Sequence, residues 1–269
     1  MDDSALLKMA IVAALKGGEE ILKIYETDFY IETKSDNTPV TLADKGSSKR
    51  ILTELSGSGF PVISEEEEIG SYEVRKNWHY FWLVDPLDGT KEFIKRNGEF
   101  AVNVALIKNE TPVIGVIYAP VIKDLYFSRT AYGSFKLPNA PAFVNSNPVD
   151  WFDKLLPASR KLPLQKPQKN YTVVASRSHL SREVNARIEK LKTLYGVVDV
   201  INVGSSIKQC WVAEGKAHEY PRFGTTMEWD TAAGQVILEE SGKKLVDIET
   251  TLPLRYNKER MENNFFIAK

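Results

Sequence analysis

The chain has 269 residues, 43% of them hydrophobic, enough to bury a substantial core in one large domain or two modest ones. Lysine and arginine number 35 against 36 aspartates and glutamates, a formal charge of −1, which argues against a nucleic-acid-coating protein while leaving room for a local basic pocket. One cysteine, Cys210, excludes an internal disulfide, and the three histidines are too scattered for a recognisable zinc site, so any bound metal would be held by oxygen.

The N-terminus opens on Asp2 and Asp3 rather than a positive segment, and its longest apolar run, Met9 to Leu15, is far too short to span a bilayer. These features read as a soluble cytoplasmic protein, with peripheral contact at a membrane left open. Leu7, Ile11, Leu15, Leu22 and Tyr25 recur at helical spacing and predict an amphipathic helix over 4–25, with Gly17 and Gly18 as its weak point. Thr41 and Asp44 have the spacing of a helix start, so a second helix should run to about Leu55, ended by Gly57 and Gly59. Strand signals follow at 61–64, 80–84, 101–107, 112–119 and 124–128. The short turn at Asn109-Glu110 predicts antiparallel pairing.

Residues 133–170 break the rhythm with six prolines and no sustained period, which reads as a connection with a short helix near "WFDKLL". Beyond it, strands at 171–176, 197–203, 217–223 and 244–248 alternate with helices at 181–194, 206–214 and 229–241, the pattern of an α/β unit. The expected organisation is an α+β half over 1–135, an irregular connection over 136–170 and an α/β half over 171–269.

Chemistry concentrates in "YFWLVDPLDGTKEF", residues 80–93, where an apolar strand ends in Asp85, Asp88, Gly89 and Thr90. A lone D-P-x-D-G is ordinarily a turn. Several carboxylates at one strand end, however, repel each other unless a cation neutralises them. The "LDGT" segment also looks like the tail of the haloacid-dehalogenase signature, but the nucleophile's position is occupied by Pro86.

"DPLDGT" at 85–90 resembles the first signature of the inositol monophosphatase superfamily, the magnesium-dependent, lithium-sensitive phosphatases. "WDTAAG" at 229–234 resembles the second, and "SEE" at 64–66 resembles the upstream metal-binding segment. "GTKEFIKRNGEFAVNVALI", "GVIYAPV", "SRSH", "GSSIKQCWVAEG" and "YPRFG" are similar to the bacterial 3′(2′),5′-bisphosphate nucleotidase branch, over most of the chain except 133–170. The resemblance implies a layered αβαβα sugar-phosphatase fold with the active site between the halves.

It also implies two or three Mg2+ ions on Glu65, Asp85, the Leu87 carbonyl, Asp88 and Asp230, a donor set of hard oxygens suited to that ion. By residue type alone, any acid from Glu65 to Glu68 could be the ligand or part of a solvated loop. Asp230 could simply complement a helix dipole. Thr90 and Asp44 are implied as the dyad that activates water, although Thr41 and Asp44 would also make an ordinary helix cap.

Gly89 and Thr90 should open a helix whose amides hold phosphate oxygens. Gly204, Ser205 and Ser206 suit either an ordinary N-cap or a ligand loop. Lys208 and Arg222 offer charge for a second phosphate, and Ser176 and His179 resemble residues that border the nucleotide. The implied reaction is hydrolysis of adenosine 3′,5′-bisphosphate to AMP and phosphate, with 3′-phosphoadenylyl sulfate as a second substrate. The partner is thus a small nucleotide bisphosphate, with no nucleic acid involved and no indication of oligomeric state. The alternatives are an inositol monophosphatase, a fructose bisphosphatase, or a non-catalytic nucleotide sensor on the same fold.

Overall fold

The computed structural model describes residues 2–25, 27, 31–33, 39–141, 151–164, 169–176 and 181–269, with the backbone alone at 31–33, 39–41 and 151. Helix α1 (Asp3–Tyr25) packs along α2 (Leu42–Leu55). The two glycines that weaken α1 in sequence have a packing use. A Cβ at Gly17 would lie 2.8 Å from Ser47 and Ile51 of α2, and one at Gly18 would lie 2.4 Å from the Tyr118 ring. Missing side chains let α1 approach both neighbours, which offsets the intrinsic cost of glycine in a helix. Two short antiparallel strands, β1 (Ile31–Thr33) and β2 (Pro39–Thr41), lead into α2. The expected Thr41 side-chain cap lies outside the described residues.

The main sheet has seven strands in sequential order: β3 (Val62–Ser64), β4 (Tyr80–Asp88), β5 (Ala101–Lys108), β6 (Thr111–Ala119), β7 (Asp124–Arg129), β8 (Gly133–Leu137) and β9 (Arg160–Lys161). All neighbours are antiparallel except β3 and β4, which are parallel and are connected through the short helix α3 (Tyr72–Arg75). The β5–β6 turn places Asn109 and Glu110 at positive φ, as a tight two-residue hairpin requires.

The apolar run of β4 is continuous because both of its faces are covered. Trp82 and Val84 face the α1–α2 layer, while Phe81 and Leu83 join the core under α7 (Ile207–Glu214) and α8 (Ala232–Glu239). Alternation along the strand therefore sends Asp85 toward the α7–α8 side. At Gly115 the sheet and α8 meet backbone to backbone: a Cβ there would lie 2.3 Å from the Ala233 carbonyl oxygen.

The proline-rich stretch contributes more than a connection. It supplies the whole of β8, a strand the sequence reading did not anticipate, forms α5 (Trp151–Ala158) where the short helix was expected, and adds β9 to the sheet edge. Two-residue β9 is too short to leave a periodic signal.

In the C-terminal half, β10 (Tyr171–Ala175) pairs in parallel with β11 (Val198–Asn202), and α6 (Arg182–Tyr195) connects them. Strands β12 (Tyr220–Arg222) and β13 (Leu245–Asp247) flank β14 (Phe266–Ala268), which runs antiparallel to both. The alternating pattern gives no hint of β14, whose only sequence signal is the terminal "FFIA". The C-terminal end of α7 is tied to the main sheet through buried Glu214. Its carboxylate receives Lys136 Nζ at 2.8 Å, Lys216 Nζ at 2.8 Å and the Tyr126 hydroxyl. Cys210 is buried within α7, as a small apolar side chain would be.

Candidate active site

Strand β4 ends with a register shift between Asp85 and Asp88, a local bulge that turns the backbone where the proline sits. The Asp85 carboxylate is buried and accepts the Leu87 N–H at 3.1 Å. From α2, the Ser47 hydroxyl donates to the Pro86 carbonyl at 2.9 Å and fixes the bulge. Gly89, at φ 98°, then turns the chain into the short helix α4 (Thr90–Ile94). The Thr90 hydroxyl points back to the Leu87 carbonyl at 3.4 Å.

Asp230 comes from a single 3-10 turn, Glu228–Asp230, immediately before α8. Its Oδ2 accepts the Met227 N–H at 2.8 Å, and its carbonyl accepts Gln209 Nε2 from α7 at 2.8 Å. Gln209 fits because position 234 is glycine: a Cβ there would lie 1.9 Å from Gln209 Oε1. The result is a triad of acids from distant segments, in which one oxygen from each of Asp85, Asp88 and Asp230 lies within 4.8 Å of the others.

Bringing these carboxylates together has an electrostatic cost. Burial, followed by the charges of Glu65, Asp88, Asp230 and Asp44, raises the Asp85 pKa well above its ordinary value. Asp230 is pushed up to about 7, first by burial and then by Asp88 and Glu65, against the Met227 N–H and Arg222. Glu65 lies at the end of β3, its N–H donating to the Val84 carbonyl at 3.2 Å. Its charge acts on both Asp85 and Asp230, whereas Glu67 lies within 3.4 Å of the Ser48 hydroxyl of α2. Asp44 is buried in α2 and its field reaches Asp85. A self-repelling set of buried oxygens fits a hard divalent cation, which would supply the missing positive charge.

Beside the acids is a cavity of about 190 Å3 lined by Asp88, Gly89, Ser205, Ser206, Lys208 and Asp230, among others. A second cavity of about 340 Å3, with Val184, Pro221 and Phe223 in its wall, adjoins it. Lys91, Ser176, Tyr220 and Arg222 line both cavities.

The inositol monophosphatase family profile matches residues 2–264. The chain belongs to the inositol monophosphatase family. It is 38% identical over 246 residues to the 3′(2′),5′-bisphosphate nucleotidase CysQ of Shigella flexneri, with 90% of each chain covered; the Escherichia coli K12 protein of that name gives the same figures. The crystal structure of CysQ from Bacteroides thetaiotaomicron superposes with a TM-score of 0.91 at 45% identity, covering 99% of this chain and 97% of that one. The fold extends to the extragenic suppressor protein SuhB from Bartonella henselae, with a TM-score of 0.73 at 24% identity, covering 98% and 93%.

Within this inositol monophosphatase fold, the glycine–serine loop is arranged differently from a simple anion cradle. The Gly204 N–H donates to Glu99 Oε2 at 3.0 Å. The Ser206 N–H donates to Asp88 Oδ2, and its hydroxyl donates to Asn103 Oδ1 at 2.7 Å. These groups build the site wall. Ser205, at φ 52°, lines the cavity, and its Oγ accepts the Ile207 N–H at 3.3 Å.

Lys208 is buried, and its ammonium donates to the Ser205 carbonyl at 2.6 Å. Burial lowers its pKa to about 8, aided by Arg222 and opposed by Asp88, Glu92 and Glu99. Arg222 Nη2 donates to the Thr225 carbonyl at 2.9 Å. His179 lies outside the described residues. Lys91 is a lining residue that sequence reasoning missed; its one signal is its place on the first turn of α4, directly after Thr90.

Proposed function

We propose that the chain is a Mg2+-dependent phosphatase that hydrolyses the 3′-phosphate of adenosine 3′,5′-bisphosphate to give AMP and phosphate, and also accepts 3′-phosphoadenylyl sulfate. The observation that carries this reading is the double cavity: Asp88 and Asp230 of the acid triad line one chamber, and Lys91 and Arg222 line both it and a second chamber with an apolar wall. A single phosphate needs only the first chamber. A second anionic group and a nucleoside give the shared cationic lining and the second chamber a use. The 3′(2′),5′-bisphosphate nucleotidase name of the similar CysQ proteins points the same way.

In this reading Glu65, Asp85, the Leu87 carbonyl, Asp88 and Asp230 hold two or three Mg2+ ions. Bound Mg2+ supplies the positive charge that acidifies the attacking water and offsets charge on the phosphoryl oxygens. Thr90 Oγ1 orients that water and relays its proton to the Asp44 carboxylate. The water oxygen bonds to phosphorus in line as the bond to the ribose 3′ oxygen breaks, and that oxygen takes a proton from solvent. Gly89 lets the α4 backbone approach the phosphate, and the first amides of α4 face the anion. Lys208, Ser205 and Arg222 bind the second phosphate from the α7 side, and Ser176 borders the nucleoside. Ser206 acts on Asp88 and Gly204 on the loop shape rather than on ligand directly.

The test is phosphate release from adenosine 3′,5′-bisphosphate, 3′-phosphoadenylyl sulfate, inositol monophosphate and fructose bisphosphate, each with Mg2+ and again with added Li+. The nucleotide substrates are expected to be preferred and Li+ to inhibit. Preference for inositol monophosphate or fructose bisphosphate would move the assignment to those activities. Nucleotide binding without phosphate release would make the chain a sensor.

A further inference from the structure

The turn that carries Asp230 is gripped by a strap of the C-terminal segment, through side chains that line neither cavity. Glu228, two residues before Asp230, is fully buried, and its carboxylate is bonded to that strap. Oε2 accepts the Asn257 N–H at 2.6 Å, while Oε1 accepts the Lys258 N–H at 3.0 Å and Lys258 Nζ at 2.6 Å. The Glu228 N–H is in turn bonded to the Met261 carbonyl at 2.9 Å.

The strap is anchored to a second place. Asn257 Oδ1 accepts Arg75 Nη1 at 2.9 Å, and Asn257 Nδ2 donates to the Arg75 carbonyl at 2.7 Å. Arg75 Nη2 also donates to the Glu259 carbonyl at 2.8 Å. Arg75 is buried at the end of α3, in the segment that begins with Glu65. The chain of contacts Glu228–Asn257–Arg75 thus joins the Asp230 turn to the segment that begins with Glu65.

A buried charged network is a poor source of net stability, because desolvation offsets most of the attraction. Its effect is geometric. The acid cluster repels itself, so without restraint the Asp230 turn, a single 3-10 turn, would relax outward. We infer that Glu228, Asn257, Lys258 and Arg75 are positioning residues that hold Asp230 at its distance from Asp85 and Asp88, so that metal affinity depends on side chains remote from the metal. Metal sites depend in this way on the groups behind their ligands. The inference rests on Asp230 being a metal ligand, the reading proposed above.

The experiment is calorimetric titration of the folded chain with Mn2+. Asn257→Gly suits the positive φ of 69° and removes both side-chain bonds to Arg75 while keeping the backbone N–H. Lys258→Met, at a partly exposed position, removes only the ammonium and is the second variant should the first fail to fold. Leu191→Ala, in the small core under α6, is the control for lost stability alone.

Both strap variants are expected to bind Mn2+ about tenfold more weakly, with the control unchanged. Wild-type affinity in the folded strap variants overturns the inference while leaving the metal site intact, as does equal weakening in the control. If wild type binds no Mn2+, or Asp230→Asn binds as well as wild type, the reading of Asp230 as a ligand fails, and the inference with it.

Discussion

Asp88→Asn preserves the shape of a half-buried side chain and an acceptor for the Ser206 N–H, while deleting one charge of a self-repelling set. Turnover in Mg2+ is therefore expected to fall on the order of a hundredfold or more. The thermal midpoint in chelator should hold or rise, because the neighbouring acids lose a repelling partner. Steady-state kinetics beside a melting curve checks both; near wild-type turnover would remove Asp88 from the metal site.

The raised pKa values of Asp85 and Asp230 carry a second consequence. Asp230 is pushed up to about 7 in the folded, metal-free chain, whereas an unfolded aspartate ionises at about 3.9. Between these values folding takes up a proton, so this contribution to stability is fully present below the lower value and is lost as pH rises through the upper one. Metal binding offsets that loss. Mg2+ should thus raise the thermal midpoint more at about pH 8 than at about pH 5; a larger Mg2+ effect at the lower pH would contradict the electrostatic account. At this scale the sequence is unevenly legible. Asp85 and Asp88 stand out because two acids close a strand that is otherwise apolar. Asp230 and Glu65 emerge only through family resemblance, since an acid by a helix start or in an acidic run is ordinary. The roles of Ser206 and Gly204 are invisible, because nothing local tells which partner an amide will find.

The elements that build the site meet at glycines. Strand β6 and helix α8 touch at Gly115, where an added methyl group would collide with the Ala233 carbonyl. Gly115→Ala is expected to cost about 1–3 kcal/mol, because the obstruction is backbone and not the end of a flexible side chain. Urea unfolding monitored by circular dichroism measures it, and an unchanged midpoint would show that α8 can shift freely. The long helices α1 and α2, strand β4 and the β5–β6 hairpin are legible from period and turn residues. Strands β9 and β14 are not: one is two residues long, and the other is a terminal run whose neighbours are fixed by distant pairing.

Across the whole molecule, one core runs from the main sheet under α7 and α8, so residues far apart in sequence are held on a common scaffold. Acids from β4 and from the turn before α8 converge where that core reaches the surface, and Lys91, Lys208 and Arg222 concentrate positive charge beside them in a chain of net charge −1. Among the described residues, no helix is long and apolar enough to cross a membrane. The most direct measurement is anomalous diffraction from crystals of the wild-type chain soaked in Mn2+. A peak within bonding distance of Asp85, Asp88 and Asp230, lost in Asp85→Asn crystals, is the expected result. Acids splayed apart with no peak at saturating Mn2+ would contradict a cation-centred phosphatase site.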